Sequence, residues 1–221
     1  MRPRLGLRPW LAFFLRARSV AFLVRFDIGV PRYRPAESAL QSAREAGAVR
    51  RVSVVGVSGA GKTTLGRRLA ERLEVPYVEL DSIFHQPGWQ ELGREEFRRR
   101  VAEVVAGDGW VVDGNYSPVQ DLVWARADTV VWLDLPRPLV MRRIVARTLR
   151  RTLTREELWN GNREPLLAPL RLDPERNMIR WSWVNHGKYA ERYGGAMADP
   201  ANGHLRFVRL RTPAEVDALL A

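Results

Sequence analysis

The chain has 221 residues, 46% of them apolar, with 36 basic against 25 acidic side chains and no cysteine. That size suits one compact domain with a sizeable core and a small appendage. The lack of cysteine excludes a disulfide framework and thiolate metal sites, and the three histidines (85, 186 and 204) are too scattered for a metal cluster, so a reducing, cytoplasmic setting is expected.

Of the 36 basic residues all but Lys62 and Lys188 are Arg, the mark of a GC-rich coding bias as much as of a ligand. Residues 1–48 carry nine Arg against Asp27, Glu37 and Glu45, a net of +6, and the remainder supplies the other +5 of the total +11. A balance this basic permits nucleic acid as a partner, but no helix-turn-helix, zinc finger or basic-aromatic stacking pattern accompanies it. The 1–48 segment reads as a basic extension with two short apolar runs, WLAFFL (10–15) and SVAFLV (19–24). Neither approaches the ~20 apolar residues of a bilayer-spanning helix, so no integral span is expected. A mis-assigned start or disordered tail, an amphipathic surface helix and a targeting peptide all stay open for it.

From residue 49 to 221 the pattern is that of an α/β domain. Five near-continuous apolar runs read as buried parallel strands: RVSVVG (51–56), VPYVEL (75–80), GWVVDG (109–114), DTVVWLDL (128–135) and LRFVRL (205–210). Between them, Leu65, Leu69 and Leu73 share one helical face, as do Phe97, Val101, Val104 and Val105. About seventy residues separate the fourth and fifth runs, too many for one crossover helix, so a helical insertion is expected at about 142–192, with a Trp-rich helix around Trp181 and Trp183. The last helix opens on Thr212-Pro213-Ala214-Glu215, a capping box with a first-turn proline. The expected architecture is a P-loop three-layer sandwich: a five-stranded parallel sheet, helices on both faces and an inserted helical lid.

The first run leads into Gly56-Val57-Ser58-Gly59-Ala60-Gly61-Lys62-Thr63, followed by Thr64, a match to G-x-x-x-x-G-K-[ST]. Glycines let such a loop curl its backbone N–H groups inward onto phosphate oxygens, and the helix that follows adds its positive end. Lys62 is expected to reach the β and γ phosphates of ATP, and Thr63 to ligate Mg²⁺. A P-loop also needs an acidic residue to hold the metal's water shell, and both Asp113, ending WVVD, and Asp134, ending VVWLD, fit that pattern. Asp81, ending VELD, is a third strand-terminal carboxylate facing the ligand crevice of such a sheet.

Residues 137–155 hold seven Arg and no acid, and Arg143, Arg147, Arg150 and Arg151 fall on one helical face. Guanidinium groups crowded this way repel unless an anion sits among them, and closing over a transferring phosphoryl group is one such use. Arg143 and Arg147 are the first candidates, with Arg192 behind them.

The succession of P-loop, LDSIFHQPGW, WVVDGNY, ADTVVWLDLPR and an Arg-rich segment resembles the adenylate-kinase-like P-loop kinases, and most closely the group labelled DNA topology modulation proteins. The resemblance runs from about residue 50 to 215. It implies that Asp113 serves the Mg²⁺ through water, that Asp81 orients the acceptor hydroxyl or acts as base, and that the insertion is a lid. In adenylate kinases the third strand continues Asp-Gly-aromatic-Pro-Arg, with the Arg gripping a nucleoside monophosphate. Here Asp113-Gly114 is followed by Asn115-Tyr116, which argues against AMP as the acceptor. His85, Trp89, Asn115, Tyr116, Arg126 and Arg192 are candidates for the acceptor pocket, Arg126 as a replacement for the missing Arg. The expected activity is phosphoryl transfer from Mg-ATP to a small-molecule or nucleotide acceptor. The alternatives are an ATP-dependent DNA-associated regulator and a bare nucleotide hydrolase. The sequence leaves the oligomeric state open.

Overall fold

The structure is a computed structural model that describes residues 49–165, 173 and 177–221. In chain order the first half comprises β1 (Arg51–Gly56), α1 (Lys62–Leu73), β2 (Tyr77–Glu79), α2 (Leu80–Phe84), β3 (His85–Gln86), β4 (Gln90–Glu91), α3 (Arg94–Val105) and β5 (Trp110–Asp113). The second half adds α4 (Ser117–Arg126), β6 (Thr129–Leu133), α5 (Arg137–Thr154), α6 (Met178–Ala198), β7 (Arg206–Leu210) and α7 (Pro213–Leu219). Five strands form one parallel sheet in the order β2-β5-β1-β6-β7, and β3 and β4 make a small antiparallel hairpin beside it.

Each strand serves two cores because successive side chains point to opposite faces. Val52, Val54, Val111, Val131 and Val208 pack with Leu65 and Leu69 of α1 and Leu219 of α7 on one face. Val55, Trp110, Val112, Val130 and Trp132 pack with Phe97 and Val101 of α3, Val119 and Val123 of α4 and Tyr193 of α6 on the other. The result is the three-layer P-loop sandwich expected from the sequence, with β1 central and its 52–56 stretch buried throughout. The capping box of α7 forms as read, with Thr212 and Glu215 bonding each other's backbone.

The second strand is shorter than the run 75–80. The N–H of Val75 is taken by the carbonyl of Ala70 as α1 ends, and Leu80 turns inward to begin α2. The insertion also begins differently. Val140 and Ile144, early in α5, are fully buried against the P-loop side of the sheet, so the start of that helix belongs to the core rather than to a lid. The extension 1–48 and the part of the expected lid at 166–172 and 174–176 lie outside the described residues. Among the described residues no helix is long and apolar enough to cross a membrane.

Gly66, inside α1, shows how tightly helix and sheet approach: a Cβ there would stand 2.7 Å from the ring of Tyr77. Alanine is worth about 1 kcal/mol more than glycine in a helix interior, but overpacking costs about 1–3 kcal/mol and the Tyr77 ring is held by its own hydrogen bond to Asp113. Gly66→Ala is therefore expected to destabilise the domain by about 1 kcal/mol in urea unfolding. A stabilised variant would show that the helix and Tyr77 part freely.

Candidate active site

Three carboxylates meet at the C-terminal edge of the sheet because the strands that carry them are adjacent and in register. Asp113 ends β5, level with Val54 of β1 on one side and Glu79 of β2 on the other. Asp81 follows two residues after Glu79, in the first turn of α2. Facing them, α1 begins at Lys62 with no side-chain cap at Gly61, so its first N–H groups are left for a ligand. Gly56, at φ +146° with an ideal Cβ 2.7 Å from the carbonyl oxygen of Leu133, admits no side chain where the loop leaves the strand. Lys62, Thr63, Glu79, Asp81, Asp113 and Arg147 all line one cavity of about 960 Å³.

Each acid has a specific partner. Thr63 donates its hydroxyl to Glu79 Oε1 at 3.1 Å, Tyr77 donates to Asp113 Oδ2 at 2.6 Å, and Tyr116 donates to Asp81 Oδ1 at 2.6 Å. Asp113 is 2% exposed, and burial pushes its carboxyl up to about 6 against the opposing pull of Lys62 and the Tyr77 hydroxyl. Burial likewise lowers the Lys62 ammonium from its ordinary value, while Asp113 and Asp81 hold its proton on. Burial raises both tyrosines above the usual phenol range, with the neighbouring carboxylates adding to it, so they remain hydrogen-bond donors.

The arginines of α5 divide along its length. Arg143 donates to the carbonyl of Ala60 at 3.0 Å and braces the P-loop without lining the cavity. Arg147 donates to Ser58 Oγ at 2.8 Å, meets no carboxylate within 4 Å among the described residues, and is lowered from its ordinary value by burial and by Arg151. A half-buried guanidinium with no carboxylate partner has the chemistry to receive an anion. Arg151 also lines the cavity, already paired with Glu164 at 3.4 Å, and Arg150 turns out to meet Glu156 at 2.9 Å. Of the four arginines predicted to share a face, only Arg147 and Arg151 reach the cavity.

The other predicted residues separate in the same way. Val57 and Ala60 are core side chains, so only their backbone can face phosphate, and Thr64 is exposed and away from the cavity. Asn115 lines the cavity but its amide clamps the start of the P-loop, accepting from Gly56 N at 3.1 Å and donating to Gly56 O at 2.7 Å. Asp134 is drawn off by Arg209 of β7 at 2.9 Å, which leaves Asp113 as the strand-end aspartate beside Lys62. Arg126 and Arg192, placed in an acceptor pocket from sequence, do not reach the cavity. The first donates to Ala106 O near the end of α3, and the second to Gln120 of α4 while lying over Tyr193. Trp181 lines the cavity, whereas Trp183 is exposed under the guanidinium of Arg137.

His85 and Trp89 do line the cavity, joined by Trp159, a residue the sequence did not single out. Trp159 arrives through a strap of the inserted segment. Asn160 donates to the carbonyls of Ser82 and His85, and buried Asn162 donates to Gln86 O while accepting from Trp89 N at 2.8 Å. No local pattern marks these two asparagines. Glu79 was also missed, although Glu79-Leu80-Asp81, two carboxylates two apart at a strand end, was a readable signal.

Among the described residues no group of three or more His, Cys, Asp or Glu is arranged to hold a metal ion unaided. The Thr63 hydroxyl with Glu79 and Asp113 nearby is an all-oxygen set, which suits a Mg²⁺ that keeps several waters and shares phosphate oxygens.

The family model for shikimate kinase matches residues 58–168. A shikimate kinase of Synechococcus elongatus is 32% identical over 163 residues, covering 58% of this chain and 82% of that protein. A shikimate kinase of Symbiobacterium thermophilum is 37% identical over 98 residues, 38% of this chain and 56% of that protein. Among solved structures, the shikimate kinase of Acinetobacter baumannii in complex with shikimate is similar at a TM-score of 0.48 and 19% identity, covering 80% of this chain and 92% of that one. The chain belongs to the shikimate kinase family, a group of P-loop kinases.

Two measurements probe this site. The Asp113 carboxyl, raised from about 3.8 to about 6, holds its proton more tightly folded than unfolded, so its contribution to stability is present below pH ~4 and lost as pH rises to ~6. Asp113→Asn should remove that slope, on the order of 2–3 kcal/mol between pH 4 and 7 in denaturant titrations. An unchanged slope would place the raised carboxyl elsewhere. Asn162→Ala should cost about 1–3 kcal/mol by stranding buried hydrogen-bonding groups, and should raise the acceptor's KM more than that of the nucleotide.

Proposed function

We propose that this member of the shikimate kinase family transfers the γ-phosphoryl group of Mg-ATP to a hydroxyl of a small acceptor bound against Asp81. The observation that carries the reading is the shared cavity of Asp81, oriented by Tyr116, with Lys62, Thr63 and Arg147 at the mouth of the P-loop.

The P-loop amides and Lys62 would bind the β and γ phosphates, with Thr63, Glu79 and, through water, Asp113 holding the magnesium. That ion supplies charge neutralisation on the phosphate oxygens. Arg147 faces the oxygens on which charge spreads as the phosphoryl group transfers. Asp81 accepts the proton of the attacking hydroxyl, and Tyr116 fixes which of its oxygens remains free to do so. The products are ADP and a phosphate monoester.

The relatives' naming for shikimate supports a hydroxylated small molecule over a nucleotide as acceptor, and makes shikimate the first compound to try. The DNA-associated alternative finds less support, because Arg143 and Arg147 are committed to the P-loop rather than to a surface stripe. The narrower kinship with the topology modulation group rests on the sequence motifs alone.

The test is an ADP-release assay across an acceptor panel that includes shikimate, paired with calorimetric ATP binding. Asp81→Asn is expected to lower kcat on the order of 10²–10⁴-fold while leaving ATP affinity within a few-fold. Full turnover by the variant would remove Asp81 from the mechanism. ATP binding with no acceptor phosphorylated would remove the kinase reading.

A further inference from the structure

We propose that Ser182 of α6 is a positioning residue for the phosphate cradle: its hydroxyl holds the peptide between Ser58 and Gly59 with the carbonyl turned away from the nucleotide and the N–H turned towards it. This rests on the P-loop as the phosphate site, and not on the identity of the acceptor.

A P-loop works by pointing backbone N–H groups inward, which obliges the carbonyls of the same trans peptides to point outward. Here the loop passes through positive φ at Gly59 (+89°) and Gly61 (+102°), conformations open to glycine at little cost. The same freedom lets the peptide ahead of each glycine rotate, so its orientation has to be fixed from outside the loop. At Ala60-Gly61 Arg143 does this by donating to the Ala60 carbonyl at 3.0 Å. At Gly56, where the loop leaves β1, Asn115 holds both backbone groups. At Ser58-Gly59 the hydroxyl of Ser182 donates to the Ser58 carbonyl at 3.1 Å. The carbonyls of Gly56, Ser58 and Ala60 are thus each held by a side chain from a different part of the chain, and that of Val57 accepts from Ala60 N at 3.1 Å.

Ser182 is placed for this role and not for another. It is fully buried in the second turn of α6, next to Trp181, which lines the cavity. A serine inside a helix commonly turns its hydroxyl to solvent or to the carbonyl one turn back. This one bonds a carbonyl 124 residues away in the chain. Burial removes water as a substitute, so a side chain without the hydroxyl strands the Ser58 carbonyl on that side. Arg147 grips Ser58 by its side-chain oxygen, which leaves the peptide that follows to Ser182. The helix is itself anchored beside the loop, as Tyr193 donates to Asn115 at 3.0 Å.

Nucleotide binding tests this without recourse to the acceptor. The full chain, with Mg²⁺, is titrated calorimetrically with a non-hydrolysable ATP analogue, alongside Ser182→Ala, Ser182→Cys and a control, Val105→Ala. Val105 is buried at the end of α3, ahead of the start of β5 and so at the edge of the sheet away from the P-loop. Its truncation lowers stability without touching the cradle. Ser182→Ala is expected to weaken binding about five- to tenfold, the worth of one hydrogen bond. Ser182→Cys, of similar shape but a weaker donor, is expected to fall between it and the unaltered chain. Val105→Ala should keep its affinity within about twofold while its urea midpoint falls at least as far. Unchanged affinity in Ser182→Ala overturns the inference, as does an equal loss in Val105→Ala, which would mark general destabilisation. If Ser182→Ala does not fold, Ser182→Cys decides, and binding as tight as that of the unaltered chain overturns the inference. The kinase reading is judged separately by turnover. Weakened nucleotide binding in Ser182→Ala with no acceptor phosphorylated by the unaltered chain would keep this inference and sink that reading, and turnover with unchanged nucleotide affinity in Ser182→Ala would do the reverse.

Discussion

The opposition of Lys62 and Asp113 across the crevice is the constraint around which the other groups are arranged. Both are desolvated, and burial works against the charged form of each while the partner works for it. Such a pair is tolerable only if the remaining hydrogen-bonding capacity is met, and Tyr77 meets part of it on Asp113. Tyr77 in turn can lie there only because Gly66 leaves room in α1. A residue in a helix interior is thus tied through one ring to the protonation of a carboxylate at the end of a strand.

A second layer of support sets the P-loop itself. Asn115 bonds both backbone groups of Gly56, Tyr193 of α6 donates to the same Asn115 oxygen, and Arg143 braces Ala60 from α5. Helices from both sides of the sheet therefore converge on the loop that would carry phosphate. Asn115 and Tyr116, two neighbours in sequence, serve different ends. The first stiffens the phosphate cradle and the second aims Asp81.

What could be read from sequence follows from how local the controlling physics is. The strands, the P-loop and the capping box of α7 were legible because apolar runs, glycine spacing and cap residues act over a few neighbours. Asp113 and Asp134 could not be separated by pattern, since both end apolar strands. The difference is made by Arg209 on β7, 75 residues beyond Asp134. Arg143, Arg147, Arg150 and Arg151 were correctly grouped on one helix, but periodicity cannot tell which of them faces a loop and which meets Glu156. Trp159 and Asn162 were invisible for the same reason, as their roles exist only once the inserted segment lies on the β3 hairpin.

The segregation of charge in the cavity follows from where the side chains originate. Among the described residues the cations come from the P-loop and from α5, which is packed along it, whereas the carboxylates come from the ends of β2 and β5, the start of α2 and the β3–β4 hairpin, with Glu164 of the inserted segment paired to Arg151. In the proposed reaction a phosphoryl group moving from the first set towards an oxygen held at the second would leave a region of positive potential, so that transfer would be favoured only if Arg147 stayed with the migrating group. Its bond to Ser58, a neutral hydroxyl, lets it do so more easily than a carboxylate pairing would. Arg151, held between Glu156 and Glu164, lacks that freedom and serves instead to tie α5 to the inserted segment that brings Trp159 to the cavity.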